Sequence, residues 1–213
     1  MDNASRSNEK GLTLIELLVG LVICATIVAG IYRLFVGQGK AYAVQDQVAE
    51  VQQSVRSVME IMVRDLRMGG FDDDTTLLVT NLQPPIVPGD SSVTIRYERE
   101  GAPYEVYYWL DAGSVNRQET RNGVSTTETM LENVTALTFS YGLDEDNNNA
   151  IDDRNGNGQA DDWVSAGTVG NLKIVTVRVS LTGRPAQVNP DLQSVTPRTL
   201  VSAVSLRNLS LMR

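Results

Sequence analysis

Along this chain the spacing of apolar residues changes twice. From Leu12 to Tyr32 the residues LTLIELLVGLVICATIVAGIY form an apolar run of 21 with one charge, Glu16. At about 1.5 Å per residue a helix of that length crosses a hydrocarbon core of roughly 30 Å, so the run predicts a membrane-spanning helix. A secretory signal would have a shorter apolar core with a small-residue cleavage site on its far side, and the run instead continues as helix. Farther on, Val44, Val48, Val51, Val55, Val58, Met62 and Leu66 recur at intervals of three and four. Gln45, Asp46, Gln47, Glu50, Gln52, Gln53, Arg56 and Glu60 lie between them, which predicts an amphipathic helix. Met68-Gly69-Gly70 supplies its stop. Gly37 and Gly39 each weaken a helix by about 1 kcal/mol relative to Ala, so a bend or local melting is expected between the two halves.

Beyond residue 70 the period shortens to two. Val93 to Glu98, Tyr104 to Leu110, Ser114 to Gln118, Val134 to Tyr141, Leu172 to Leu181 and Thr199 to Leu206 read as strands, and Asp111-Ala112-Gly113 as a hairpin turn. Asn81 to Asp90 reads as a Pro-rich loop. The class expected is α+β, a long N-terminal helix with a membrane half and an amphipathic half, packed on a C-terminal antiparallel β-sheet. The apolar stripe is also compatible with a homomeric coiled coil, but it is shorter than four heptads and is followed by β-rich sequence, which favours packing on the chain's own sheet. Tyr104, Tyr107, Tyr108 and Trp109 suggest a carbohydrate platform, yet successive strand residues face opposite sides and core packing accounts for most of them.

Composition removes several functions. Without a histidine there is no Ser-His-Asp or Cys-His nucleophile, and the commonest transition-metal ligand is missing. The single cysteine, Cys24, lies in the apolar run and permits neither an intrachain disulfide nor a cysteine-based zinc site. It reads as a small packing residue, as do Gly20 and Gly30. The net charge is −8 and no basic cluster is present, which argues against nucleic-acid binding. Most of that charge is local: Asp144 to Asp162 holds seven carboxylates against Arg154. No catalytic set is visible, so no enzyme is expected.

Glu16 is costly in a membrane helix, by roughly 2.5–3.5 kcal/mol at the centre and less near an end. Either it reaches interfacial water or it has a partner. Its neighbours, Lys10-Gly11-Leu12-Thr13-Leu14-Ile15-Glu16-Leu17, resemble the type IV prepilin processing motif, although Leu12 stands where phenylalanine is most common. The resemblance implies that a prepilin peptidase in the inner membrane cuts between Gly11 and Leu12 and methylates the new N-terminus, leaving 202 residues. It also implies that Glu16 pairs with the N-terminal amine of a neighbouring pilin. Glycine suits the cut because a residue without a side chain lies extended in a protease cleft at little steric cost. The implied organisation is a leader over 1–11, a transmembrane and polymerisation helix over 12–36, an amphipathic helix over 37–70 and a periplasmic sheet domain over 71–213. The helix-then-sheet pattern, ending in Leu206-Arg207-Asn208, is similar to PilW-like minor pilins and to J-type minor pseudopilins of type II secretion. A pilus subunit is the leading expectation. A secretion or competence pseudopilin and a membrane-anchored, calcium-dependent adhesin are the alternatives.

The acidic insert over 144–162 carries a repeat of nine, DEDNNNAID followed by DRNGNGQAD. Oxygen donors recur at positions 1, 3, 5 and 9: Asp144, Asp146, Asn148 and Asp152, then Asp153, Asn155, Asn157 and Asp161. Ala150 and Gln159 would supply backbone carbonyls at position 7, and Asn149 and Gly158 stand at position 6, where a left-handed turn is needed. The bidentate Glu of an EF-hand is absent, so Asp152, Asp153, Asp161 or Asp162 would complete the spheres. The segment resembles the compact loops of dockerin and thrombospondin type 3 repeats. An all-oxygen donor set without histidine points to calcium, and the competing reading is a solvated acidic loop.

Overall fold

The computed structural model describes residues 11–72, 84–159, 161–185 and 196–210. Residues 1–10 of the expected leader, with Lys10 of the motif, and residues 81–83 of the Pro-rich stretch lie outside the described residues. Two compact units are distinguished, Met1–Asp46 and Gln47–Arg213. Helix α1 runs from Leu14 to Met68, unbroken at Gly37 and Gly39, where the sequence suggested a bend. A cost of about 1 kcal/mol per glycine does not by itself interrupt a helix that continues for many residues on both sides.

Within the second unit the apolar stripe is the buried face of α1. Val51, Val55, Val58, Met62 and Leu66 are buried, and Met59 joins them; Val48 is half-buried. Each fully buried side chain of this kind contributes about 1.5–3 kcal/mol. The helix stops as expected: Gly70 adopts φ 71°, its amide donates to the Arg96 carbonyl at 2.9 Å, and Phe71 N donates to Met68 O at 2.7 Å. Gly69 has little room, since a Cβ there would lie 2.8 Å from Ile86 Cδ1.

The β region is antiparallel as expected and divides into two sheets. The first is a meander in the order β1-β2-β3-β4-β5, made of Ile86–Pro88, Ser92–Arg99, Ala102–Asp111, Ser114–Arg121 and Val124–Leu131. Its tight turns at Glu100-Gly101, Ala112-Gly113 and Asn122-Gly123 have positive φ at both central residues, the geometry that matches strand twist in a two-residue hairpin. The second sheet has the order β7-β6-β8-β9: β6 Val134–Asp144, β7 Trp163–Val164, β8 Lys173–Gly183 and β9 Arg198–Ser205. A short helix α2, Ala166–Val169, leads into β8, and a 3-10 turn, Arg207–Ser210, follows β9. Two expectations need correction, and one strand was not foreseen. β1 lies inside the stretch read as a Pro-rich loop, with Pro88 on an edge strand where its missing N–H is tolerated. β5 is an exposed, Thr-rich edge strand without apolar alternation. β4, β6 and β8 run past their expected ends.

One core joins α1 to both sheets: Met62 and Leu66 meet Val93, Ile95, Val106 and Tyr108 of the first sheet and Leu137, Phe139, Val177 and Val179 of the second in a single cluster. A buried charge group lies within it. Asp65 of α1 accepts hydrogen bonds from Tyr108 Oη at 2.7 Å and Arg117 Nε at 2.9 Å, and Arg117 also reaches Glu119 at 2.5 Å and Glu128 at 3.2 Å. Burial of Tyr108, then the Asp65 charge, push its hydroxyl far above the ordinary tyrosine range. For Arg117 burial acts downward, but the bond to Glu119 and the charge of Asp65 outweigh it, and the guanidinium stays charged.

Candidate functional site

The start of α1 is built from Thr13 and Glu16. Thr13 N and Oγ1 both donate to Glu16 Oε2, at 2.9 and 2.8 Å, and Glu16 N donates back to Thr13 Oγ1 at 3.3 Å. This is a capping box, in which two side chains three residues apart satisfy amides that the first helical turn leaves open. Glu16 therefore has a partner inside its own turn, one that the sequence reading overlooked although Thr-x-x-Glu is its signature. Gly11 and Leu12 precede the helix and are exposed. Beyond them α1 contains an 18-residue window of mean hydropathy 2.6 with none of its residues buried, long and apolar enough to cross a membrane.

The acidic insert connects β6 to β7. Its first loop is organised around carboxylates that gather backbone amides. Asp144 accepts from Asn148 N and Asn149 N, both at 3.0 Å, Asp146 from Asn148 N at 3.1 Å, and Asn148 Oδ1 from Ala150 N at 2.7 Å. Asp152 accepts from Glu145 N. As a result one carboxylate oxygen from each of Asp144, Asp146 and Asp152 lies within 4.8 Å of the others. Asn147 and Asn149 take positive φ, 61° and 64°, as the repeat required at position 6 and did not foretell at position 4.

The second loop repeats this backbone with Gly156 and Gly158 at φ 74° and 81°. Asp153 accepts from Gly156 N at 2.7 Å, Asn157 N at 3.0 Å and Gly158 N at 2.6 Å, and Asn157 Oδ1 accepts from Gln159 N at 2.7 Å. The closing acid moves by one residue: Asp162, not Asp161, holds Asn155 N at 2.7 Å and also receives the Arg154 amide. Asp161 acts electrostatically on Arg178, whose guanidinium lies 3.9 Å from the Trp163 ring centroid. Among the described residues, three acidic side chains converge in the first loop only.

Two anchors of the insert were missed. Lys173 of β8 lies 3.6 Å from Asp144 and donates to Asn149 Oδ1 at 2.7 Å. Ile151 packs over Gly142 so closely that a Cβ there would lie 2.6 Å from Ile151 Cγ1, and Asp152 N donates to Leu143 O at 3.0 Å. An apolar residue at position 8 was the available signal for the second anchor. Lys173 lies too far along the chain to have left one.

Comparison with known proteins agrees with both ends of the chain. Residues 6–32 match the Prokaryotic N-terminal methylation motif, the motif of type IV prepilins, and proteins of the pilin family are structural subunits rather than enzymes. More particularly, residues 108–207 match Type IV Pilus-assembly protein W, a stretch that runs from β3 past β9. A type IV-like pilin from Thermus thermophilus is similar in structure, with 12% identity and a TM-score of 0.48 over 74% of this chain and 97% of that one. No curated protein matches the chain.

Proposed function

We propose that this protein is a minor pilin that primes or joins assembly of a type IV pilus. Prepilin peptidase cuts between Gly11 and Leu12 and methylates Leu12; α1 holds the subunit in the inner membrane with the sheets in the periplasm, and then enters the fibre beside other pilins. The observation that carries this reading is the Gly11-Leu12 junction immediately before an exposed apolar helix whose only charge ahead of Arg33 is Glu16. Lipid and neighbouring helices are the surroundings in which such a surface is stable. The W-domain match supports a pilus over a secretion pseudopilus. Both Thr13 bonds fall on Glu16 Oε2, which leaves Oε1 for the methylated amine of the next subunit. After co-expression with prepilin peptidase, N-terminal sequencing is expected to begin at Leu12, and another first residue overturns the processing step. Glu16→Ala is expected to be cut normally and to be lost from fibres; normal assembly of this variant removes the pairing role.

The acidic insert serves this subunit as a calcium site. Asp144, Asp146, Asn148, Asp152 and the Ala150 carbonyl form the first sphere, and Asp153, Asn155, Asn157, the Gln159 carbonyl and Asp161 or Asp162 the second. The donors are all hard oxygens, and the converging carboxylates of the first loop repel one another until a cation lies between them. Calorimetry on the whole protein is expected to show calcium binding that Asp146→Asn weakens by about tenfold. Absence of heat at millimolar calcium overturns the site.

A further inference from the structure

We propose that the outer face of the five-stranded sheet binds a neutral glycan, with Tyr107 and Trp109 as its stacking surface. Strand alternation divides the aromatic run of β3. Tyr108 points into the core toward Asp65, whereas Tyr107 and Trp109 lie on the opposite face, half-exposed, with ring centroids 4.9 Å apart and planes within 14°. Cross-strand register surrounds them with small polar side chains. Tyr107 is flanked by Thr94 and Gln118, and Trp109 by Ser92 and Asn116. β5 continues those rows with Thr127 and Thr129, which hydrogen-bond Gln118 and Asn116 at 3.1 and 2.9 Å.

Chemistry selects the ligand. Arg96 and Glu105 on this face neutralise each other at 2.7 Å, and Asp111, two residues beyond Trp109 in the same strand, adds one carboxylate, so the face carries no excess positive charge. Such a face complements neither phosphate nor an acidic sugar. A pyranose matches it: the C–H face of the sugar packs on an aromatic ring while hydroxyls around its rim exchange hydrogen bonds with amide and hydroxyl side chains. Among the described residues the Tyr107 hydroxyl and the Trp109 indole N–H have no protein hydrogen-bond partner, in contrast to the inward Tyr108 and Tyr141 hydroxyls. The near-parallel rings hold one another in place, so little rotamer freedom remains to be lost on binding. This surface belongs to the first sheet, whereas the acidic insert belongs to the second, so glycan binding does not depend on the calcium reading.

The test uses the whole protein in detergent with Trp163→Phe as background, which leaves Trp109 as the sole indole reporter of the two in the chain. Probes are malto-, cello- and chitohexaose, with sialyllactose and a heparin hexasaccharide as acidic controls. At least one neutral hexasaccharide is expected to change Trp109 emission, with and without chelator. Tyr107→Ala is expected to weaken that binding by about tenfold or more, as is Thr127→Lys, which places a charge on the exposed face without touching the core. If Tyr107→Ala fails to fold, Thr127→Lys decides. The proposal is overturned if no neutral probe binds at millimolar concentration, if the acidic probes bind better, if Thr127→Lys leaves binding intact, or if chelator abolishes it.

Discussion

From Leu14 to Val36 the apolar side chains of α1 occupy every side of the helix and are exposed, whereas from Val51 to Leu66 they gather in one stripe that is buried, with Ile61 and Val63 half-buried beside it. Both stretches contain mainly Val, Leu, Ile and Met among their apolar residues, so residue type does not separate them. What separates them is distribution around the helix: a surface apolar on all sides requires a continuous apolar solvent or many partners, whereas a stripe is satisfied by two sheets of the same chain. Charge follows the same rule. Glu16 is held by a cap within one turn, while Asp65 is held by Tyr108 and Arg117 from the sheet.

The sharpest test of that contrast is Asp65→Ala, which leaves the Arg117 guanidinium without its buried acid. It is expected to cost about 3–5 kcal/mol in urea unfolding of the sheet domain followed by circular dichroism. Retention of wild-type stability breaks the claim that this group locks α1 to the first sheet. Next in size, Leu66→Ala should cost about 2–5 kcal/mol by opening a cavity at a fully buried position. Ile23→Ala, at an exposed position of the same helix, should stay within about 0.5 kcal/mol in the same assay. Equal losses at the two positions would erase the distinction between the stretches. The smallest effect is at high pH. Burial of Tyr97, with the Asp65 and Glu119 charges, raises its hydroxyl from 10 to about 12. Its neutral form is favoured in the folded state, so this contribution to stability is complete below about pH 10 and is lost as pH rises toward about 12. Tyr97→Phe should flatten the fall in stability across that window, monitored alongside tyrosinate absorbance.

Legibility in the sequence tracked how local each cause was. The helix, its glycine stop, most strands and the left-handed residues Asn149 and Gly158 depend on neighbours a few positions away, and patterns of that range are visible in one chain. Two local signals were present and unread: Thr13-x-x-Glu16, the capping box, and Asn122-Gly123, a two-residue hairpin signal that announces β5. Others had no local trace. The division into two sheets follows from β6 pairing with β8 across the whole acidic insert, and Lys173 reaches Asp144 across 29 positions of sequence.

The sequence by itself pointed to the class of protein, because the methylation motif, the apolar span and the two copies of the nine-residue acidic repeat are each contiguous and act through local chemistry. Only the tertiary structure decided which charges are buried, which aromatics face outward and which of the repeat's acids converge. Those outcomes depend on strand register and on sheet-to-helix packing, where a shift of one residue exchanges the two faces of a strand. Tyr107 and Tyr108 are adjacent in the chain, yet the pleat assigns one to the solvent face and the other to the core.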